Sequence, residues 1–175
     1  MCPADDVEAR QMVKAAYEME GPVYMRFGRA ATSVFHSEDF HFEIGKGEVI
    51  QEGTDVAIIA TGIMVPEAIE AGKALAERGV SARVINMATI KPLDEDLVLK
   101  AARECGKIVT VEEHSVIGGL GEGVCALVSE HCPVPVKRIG VNDEFGHSGP
   151  AAALLEQFGL CTENIISVSM SLLGE

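Results

Sequence analysis

The run Val56-Ala57-Ile58-Ile59-Ala60 is continuously apolar, and the residues after it alternate between strand and helix patterns. Such a run is typical of a strand that is buried on both faces of a parallel sheet. Pro66 then fits the first turn of a helix that ends at Gly79, and residues 80–87 fit the next strand. Strands that alternate with helices predict a mostly parallel α/β sheet that helices cover on both faces.

The same alternation continues towards the C-terminus. Asp94 is the expected N-cap of a helix that Gly106 ends, and a strand at residues 107–111 follows. The remaining expected elements are a helix from the glycine-rich residues 118–123 to about Cys132, a strand over 134–141, and helices over 151–158 and 162–173.

The first part of the chain does not fit this repeat. Apolar residues recur at helical spacing from Asp5 until Gly21-Pro22 ends the helix, and Pro22 to Phe27 reads as a strand. A connection of roughly twenty residues then precedes a short strand at Val49-Ile50. Because connections within a domain are usually shorter, this one indicates a junction between two domains.

Composition excludes several classes of protein. A chain of 175 residues can bury one good core, and its formal net charge of −13 opposes binding to nucleic acid or to an anionic membrane. No apolar run is long enough for a membrane span and no secretory signal is present, so we expect a cytoplasmic protein. The five scattered cysteines form no C-x-x-C pair, which argues against disulfides and zinc.

Two patterns are weak candidates for chemistry. The glycines at 118–123 follow a strand and open a helix, as phosphate-binding loops do, but their spacing does not fit a dinucleotide fingerprint. Close packing of the helix on the sheet is the favoured interpretation. His114 follows a strand end where Glu112 or Glu113 could orient it, yet no nucleophile motif accompanies it, which favours a surface histidine.

Two further sets of side chains remain. His36 and His41 flank Glu38 and Asp39 in a pattern that matches no metal site, so a solvated acidic loop is favoured. Arg26 and Arg29 follow a predicted strand end and offer forked donors suited to a phosphate or a carboxylate. Their ion pairing with the chain's own carboxylates is an equal alternative.

The motifs taken together, in their order and spacing, resemble the C-terminal part of the transketolase-like enzymes that depend on thiamine diphosphate. The matching stretches are Pro3-Ala4-Asp5-Asp6-Val7-Glu8, Gly21-Pro22-Val23-Tyr24-Met25-Arg26, Gly45-Lys46-Gly47, Asp55 to Gly62, Lys91-Pro92-Leu93-Asp94, Val111-Glu112-Glu113-His114, Gly118-Gly119-Leu120-Gly121 and Asp143 to Gly149.

The resemblance implies a three-layer α/β/α fold around a five-stranded sheet with one antiparallel strand, near Val49. It implies three parts of this chain: residues 1–27 as the end of a pyrimidine-binding domain, 28–44 as a linker, and 45–175 as the C-terminal domain. It also implies the transfer of a two-carbon ketol unit between ketose and aldose phosphates, in a homodimer, as in the pentose phosphate pathway.

In the family, a G-D-G motif holds Mg²⁺ and the diphosphate, and a glutamate activates the aminopyrimidine ring of thiamine diphosphate. This sequence contains no Gly-Asp-Gly, and we expect the activating glutamate in a segment upstream of Met1. The chain alone is therefore expected to be inactive and to need partners that supply the diphosphate-binding and pyrimidine-binding parts. Arg29 matches the family's ligand of the substrate phosphate, and no catalytic, cofactor-binding or metal residue carries over. The alternatives are 1-deoxyxylulose-5-phosphate synthase, from which the sequence differs around Arg29, and a free-standing regulatory or assembly module.

Overall fold

A computed structural model describes residues 1–29 and 31–174 of the chain. Six helices and five strands follow the order that the sequence predicts, apart from the first predicted strand. They are α1 (Asp6–Glu18), β1 (Glu48–Gln51), β2 (Val56–Ala60), α2 (Met64–Glu77), β3 (Ala82–Asn86), α3 (Glu95–Cys105), β4 (Ile108–Ser115), α4 (Leu120–His131), β5 (Val136–Val141), α5 (Ala151–Gln157) and α6 (Thr162–Leu173).

The five strands form one sheet in the order β1-β3-β2-β4-β5. β1 runs antiparallel to β3, and every other pair of neighbours is parallel. The predicted fold class is thereby confirmed, including the antiparallel strand at Val49. Because β2 and β4 are central, their carboxyl ends meet in the middle of one edge of the sheet, where open α/β sheets bind ligands.

Helices cover both faces of the sheet because successive side chains of a strand point to opposite faces. On β2, Val56, Ile58 and Ala60 pack against α2 and α6, whereas Ala57 and Ile59 pack against α3 and α4. All five residues of the strand are fully buried. This double burial explains why the strand is apolar at every position rather than at alternate ones.

The predicted strand at residues 22–27 is wrong. The segment makes no ladder with the sheet, and its backbone bonds run to the first residue of the chain: Arg26 N–H donates to the Met1 carbonyl at 2.9 Å, and the Met1 amino group donates to the Tyr24 carbonyl at 2.8 Å. A β-rich sequence becomes a strand only where a neighbouring strand satisfies its backbone groups. A single residue, Met1, is too short to pair with this segment as a neighbouring strand.

β4 is longer than predicted and carries the candidate site residues beyond the sheet centre. It extends to Ser115, so that Glu112, Glu113 and His114 lie in its last residues rather than in a loop. The strand ends at the glycine-rich turn that begins α4. None of the helices in the described part of the chain combines the length and the apolar character that crossing a membrane requires.

Candidate functional site

A cleft of about 500 Å³ opens at the carboxyl edge of the sheet, between the strand ends and the N-terminal segment. Thr61 after β2, Glu112 and Glu113 on β4, and the glycine-rich turn line its floor, and five of the residues from Pro22 to Gly28 line it from the side of the N-terminal segment. Its lining is mostly apolar, with charged groups at the floor and rim. This is the place where the topology of the sheet predicts a ligand crevice.

Arg26 forms a salt bridge with Glu113 on the floor of the cleft. Its guanidinium donates to the Glu113 carboxylate at 2.8 Å and also to the Glu113 main-chain carbonyl. The pair is partly buried, with 32% and 40% of the two side chains exposed. Of the two roles left open for this arginine, the ion pair is the one that forms, and it ties the N-terminal segment to β4.

Arg29 is exposed and is next in sequence to a residue that lines the same cleft. It follows Gly28, which lines the cleft so closely that a Cβ there would lie 2.8 Å from Cγ2 of Ile63. No salt bridge joins Arg29 to any other residue within 1–29 and 31–174. The two arginines therefore differ: one is used by the fold, and the other has its guanidinium available to a ligand.

The glycine-rich turn binds a carboxylate of the protein itself. Glu112, 1% exposed, accepts hydrogen bonds from the N–H groups of Leu120 and Gly121, each at 2.8 Å. A Cβ on Gly119 would lie 2.0 Å from the Glu112 Oε2 atom, so only glycine allows this approach. The positive end of α4 is thus already neutralised. The interpretation of these glycines as a close-packing device is confirmed for Gly119 and Gly121, whereas a Cβ on Gly118 or Gly123 would meet nothing within 4 Å.

His114 and Cys2 are the other reactive groups near the cleft. The His114 side chain is 48% exposed, and its Nδ1 donates to the Ser115 carbonyl at 2.9 Å. Its Nδ1 lies 4.0 Å from a Glu112 oxygen, which is beyond hydrogen-bond distance. Burial raises the pKa of the Cys2 thiol, which keeps it neutral. The site offers a place to bind a ligand, and no activated nucleophile accompanies it.

A polar cluster that is buried except for Glu48, and which the sequence did not reveal, joins α1 to the sheet. We call it the polar seam; it consists of Asp5, Glu8, His36, Glu48 and Asn86. His36, with a side chain only 3% exposed, has Nδ1 3.0 Å from an Asp5 oxygen and Nε2 2.7 Å from a Glu48 oxygen. The contact with Asp5 is an ion pair that lies off the hydrogen-bond direction, whereas the contact with Glu48 is a hydrogen bond.

Asp5 and Glu8 anchor the other side of the polar seam. Asp5 caps α1 by accepting from the Glu8 N–H at 3.0 Å, and it also accepts the N–H groups of Phe35 and His36 at 3.0 and 2.9 Å. Glu8, 2% exposed, accepts from the Ala4 N–H at 2.7 Å and from the Asn86 amide at 2.8 Å. The two carboxylates thereby join three segments: the start of α1, residues 35–36 and β3.

The surroundings of these groups change their pKa values in different directions. Burial alone would raise the pKa of Asp5, but the N–H groups of Glu8 and His36 outweigh it and hold the pKa below 3.8. Burial alone would lower the pKa of His36, but Glu48 and Asp5 outweigh it and raise the pKa above 6.5. Burial raises the pKa of Glu8 above 4.5, although the hydrogen bond from the Ala4 N–H acts to lower it.

The interpretation of residues 36–41 as a solvated acidic loop is wrong for His36, although Glu38, Asp39 and His41 are exposed as expected. The only local signal was the N-cap at Asp5; that the same carboxylate also receives His36 depends on a contact over 31 residues of chain. Within the described ranges, no group of three or more His, Cys, Asp or Glu residues is arranged to hold a metal ion.

Known proteins are similar to this chain in sequence along almost its whole length. The family model described as transketolase, C-terminal domain, matches residues 45–165. The chain is 43% identical over 164 residues to the 6-deoxy-6-sulfo-D-fructose transketolase subunit SqwH of Clostridium sp. (strain MSTE9), covering 94% of this chain and 51% of that protein. It is 40% identical over 177 residues to the 1-deoxy-D-xylulose-5-phosphate synthase of Heliobacterium modesticaldum, covering 98% of this chain and 27% of that protein.

A solved structure is similar along the whole fold. The chain superimposes on a protein described as "Split gene transketolase, inactive beta4 tetramer" with a TM-score of 0.95 and 48% identity, covering 99% of this chain and 57% of that one. The chain therefore spans about half the length of the transketolase subunit and of the solved structure that it matches. The similarity includes the N-terminal segment and the cleft, beyond the part that the family model matches.

Proposed function

Because the chain belongs to the transketolase family, of which it carries the C-terminal domain, we propose that it is one section of a transferase acting on sugar phosphates. The proposed reaction moves a two-carbon ketol unit from a ketose phosphate to an aldose phosphate. The similarity over 99% of the chain to a split-gene transketolase carries this proposal. The pentose phosphate pathway is the metabolic setting we propose for it, in the cytoplasm.

In that enzyme Arg29 binds the phosphate group of the substrate. Three observations support this role: Arg29 is exposed, it follows a residue that lines the cleft, and no described carboxylate occupies its guanidinium. A guanidinium presents parallel donors that match a phosphate and remains charged at any physiological pH. Arg26 and Glu113 hold the neighbouring backbone in place, so the segment that carries Arg29 has a fixed attachment on one side.

Thiamine diphosphate and Mg²⁺ are the cofactors we propose for the assembled enzyme, and the residues of this chain do not fit them. The glycine-rich turn at α4 could receive a diphosphate only if Glu112 left it, because that carboxylate accepts the N–H groups of Leu120 and Gly121. Its negative charge would also repel a diphosphate. We propose that the diphosphate-binding and pyrimidine-binding parts of the assembled enzyme hold the cofactors and that the chain alone is inactive.

We also propose a division of the chain and its partners. Residues 1–27 complete a pyrimidine-binding domain, 28–44 form a linker, and 45–175 are the C-terminal domain, in agreement with the start of the family match at residue 45. The missing parts lie in the same polypeptide or in a separate subunit, and the assembled enzyme is a homodimer of such units. One relative is named as a subunit and the solved structure as a split-gene protein, which supports a separate subunit.

Reconstitution tests the proposed function. The chain is combined with the protein that supplies the missing domains, together with thiamine diphosphate and Mg²⁺, and ketol transfer from a ketose phosphate to an aldose phosphate is measured. We expect activity in the mixture and none with either component alone. Consumption of pyruvate instead of the ketose phosphate would identify a 1-deoxyxylulose-5-phosphate synthase, the alternative that the 40% identity to such an enzyme supports.

Arg29 is tested in the reconstituted enzyme. Arg29→Ala is expected to raise KM for the phosphorylated sugar about 10- to 100-fold, as the loss of a hydrogen bond to a charged group does, while thiamine diphosphate affinity stays the same. Arg29→Lys keeps the charge but loses the fork and is expected to lie in between. Arg10→Ala removes another exposed arginine, on α1, and is the control. Equal KM values for Arg29→Ala and the unmodified enzyme would exclude Arg29 from the site.

A further inference from the structure

The polar seam is built around a single histidine that is enclosed by opposite charges. Three carboxylates face His36 from two elements: Asp5 and Glu8 from the start of α1, and Glu48 from β1. The rings of Phe35 and Phe40 cover it, with ring centroids 4.1 and 3.9 Å from that of the imidazole. An imidazolium fits this enclosure because Nε2 then donates to Glu48, Nδ1 lies in ion-pair contact with Asp5, and the charge lies against two aromatic rings.

The same histidine lies at one end of the segment that carries Arg29. On the near side, Arg26 is anchored to Glu113, and on the far side the N–H groups of Phe35 and His36 are anchored to Asp5. The imidazole continues this second anchor to Glu48 on the edge strand. The ring contact with Glu48 therefore adds to the backbone bonds that hold the far end of this segment against the sheet.

We propose that His36 is a positioning residue: as an imidazolium between Asp5 and Glu48, it fixes α1 and the segment that carries Arg29 against the edge of the sheet. The consequence for substrate binding rests on the proposed function, whereas the attachment itself does not. His36 touches no substrate and acts only through the position of the segment. Loss of its proton removes the charge that joins the two carboxylates and leaves two negative groups facing each other across a neutral ring.

The first test is the NMR titration of the His36 ring nitrogens in the 175-residue chain and in Glu48→Gln. The glutamine keeps an oxygen that accepts from Nε2 and removes only the charge. The midpoint of His36 is expected above 6.5 in the unmodified chain and about one pH unit lower in the variant, equivalent to a tenfold change in proton affinity. The ring signals of His131, exposed on α4, are the internal reference. A midpoint that Glu48→Gln does not move would overturn the proposal.

The second test measures KM for the phosphorylated sugar against pH in the reconstituted enzyme. KM is expected to rise severalfold as pH passes the His36 midpoint, and the rise should occur at lower pH in Glu48→Gln. His36→Gln, which cannot be charged, should show the higher KM at every pH, whereas His131→Gln should behave as the unmodified enzyme. If His36 had a purely structural role, the KM of His36→Gln would depend on pH as that of the unmodified enzyme does. That result would overturn the positioning role of His36.

The two tests also separate this proposal from the proposed function. If the reconstituted protein transfers no ketol unit, the proposed function fails, and the titration together with amide exchange in α1 decides whether His36 holds the helix. Faster exchange in α1 of Glu48→Gln, with the exchange of α3 unchanged, supports the attachment. Equal exchange in α1 of the variant and the unmodified chain rejects it.

Discussion

The sheet domain (residues 45–174) and the N-terminal segment (residues 1–29 and 31–44) are held together by different forces. The sheet domain has two large apolar clusters, one on each face of the sheet, and β2 lies fully buried between them. The N-terminal segment contributes Ala4 to one of these clusters and two of the three buried residues of a small third cluster, Met12 and Phe42, which pack with Ala88 of the sheet domain. Among the described residues, its polar attachments to the sheet domain include the polar seam, the pair of Arg26 with Glu113, and the Cys2 N–H, which donates to the Ala88 carbonyl at 2.8 Å.

This difference has consequences for stability and for position. Apolar burial has no preferred direction and no dependence on protonation, so it stabilises a fold without being sensitive to pH. Buried charges and hydrogen bonds contribute less net free energy but require specific geometry, and they depend on the charge state of each partner. We therefore expect a sheet domain that is stable by its packing and an N-terminal segment that is accurately placed but responsive to pH.

The largest effect is expected in the core of the sheet domain. Ile58 is fully buried on the α2 side of β2, and Ile58→Ala should lower the free energy of unfolding by about 3–4 kcal/mol through lost apolar contact and a remaining cavity. Urea denaturation followed by circular dichroism measures this loss. A loss below about 1 kcal/mol would contradict the assignment of the main stabilisation to the two apolar clusters.

A smaller and more local effect is expected in the polar seam. Asp5→Ala removes the N-cap of α1 and leaves the N–H groups of Phe35 and His36 without their acceptor. The expected loss is about 2–3 kcal/mol, confined to the N-terminal segment.

Amide exchange of α1 against β2 measures that confinement. Asp6→Ala, next in sequence but exposed and paired only with Arg10 in the described structure, is the matched control and should change little. If Asp5→Ala lowered the protection of β2 as much as that of α1, the two regions would not be separable.

The smallest effect is expected at the surface of α1. Arg10 and Asp6 form an exposed ion pair at i and i+4, with 68% and 57% of the side chains accessible. Arg10→Ala should change the free energy of unfolding by less than about 0.5 kcal/mol, because solvent screens such pairs. A larger change in urea denaturation would mean that α1 depends on its outer face as well as on the polar seam.

The sequence was sufficient for the parts of the molecule that depend on local patterns. Continuous apolar strands, the caps at Asp94 and Gly106 and the glycines near 119 each carry a physical requirement that a few neighbouring residues express. These features predicted the sheet, its helices and the close packing at the start of α4. Arg29 was reached through the resemblance to the family, and its role remains a prediction.

Sequence reasoning failed where the outcome depends on partners that are distant along the chain. Residues 22–27 have a strand-like sequence but find only Met1 as a backbone partner. His36 lies among acidic residues and reads as solvated, yet Asp5, 31 residues earlier, takes its backbone N–H and faces its ring. The pairing of Arg26 with Glu113 spans 87 residues. No periodicity or spacing encodes such contacts.

The pH dependence of the polar seam follows from its three perturbed groups. The pKa of Asp5 is lowered, so its contribution is present above 3.8 and lost as pH falls through the folded value. The pKa values of His36 and Glu8 are raised, so their contributions are complete below 6.5 and 4.5 and are lost as pH rises through the folded values. The attachment of α1 should therefore be strongest at mildly acidic pH.

Native-state amide exchange at two pH values tests the contrast between the two regions most directly. After correction for the intrinsic base catalysis of exchange, the protection of α1 should fall about tenfold relative to that of β2 between about pH 6 and about pH 9. This result would show that a titrating polar contact holds the N-terminal segment while apolar packing holds the sheet. If α1 and β2 lost protection equally, or if neither changed, the account of a pH-responsive seam on a pH-insensitive core would be contradicted.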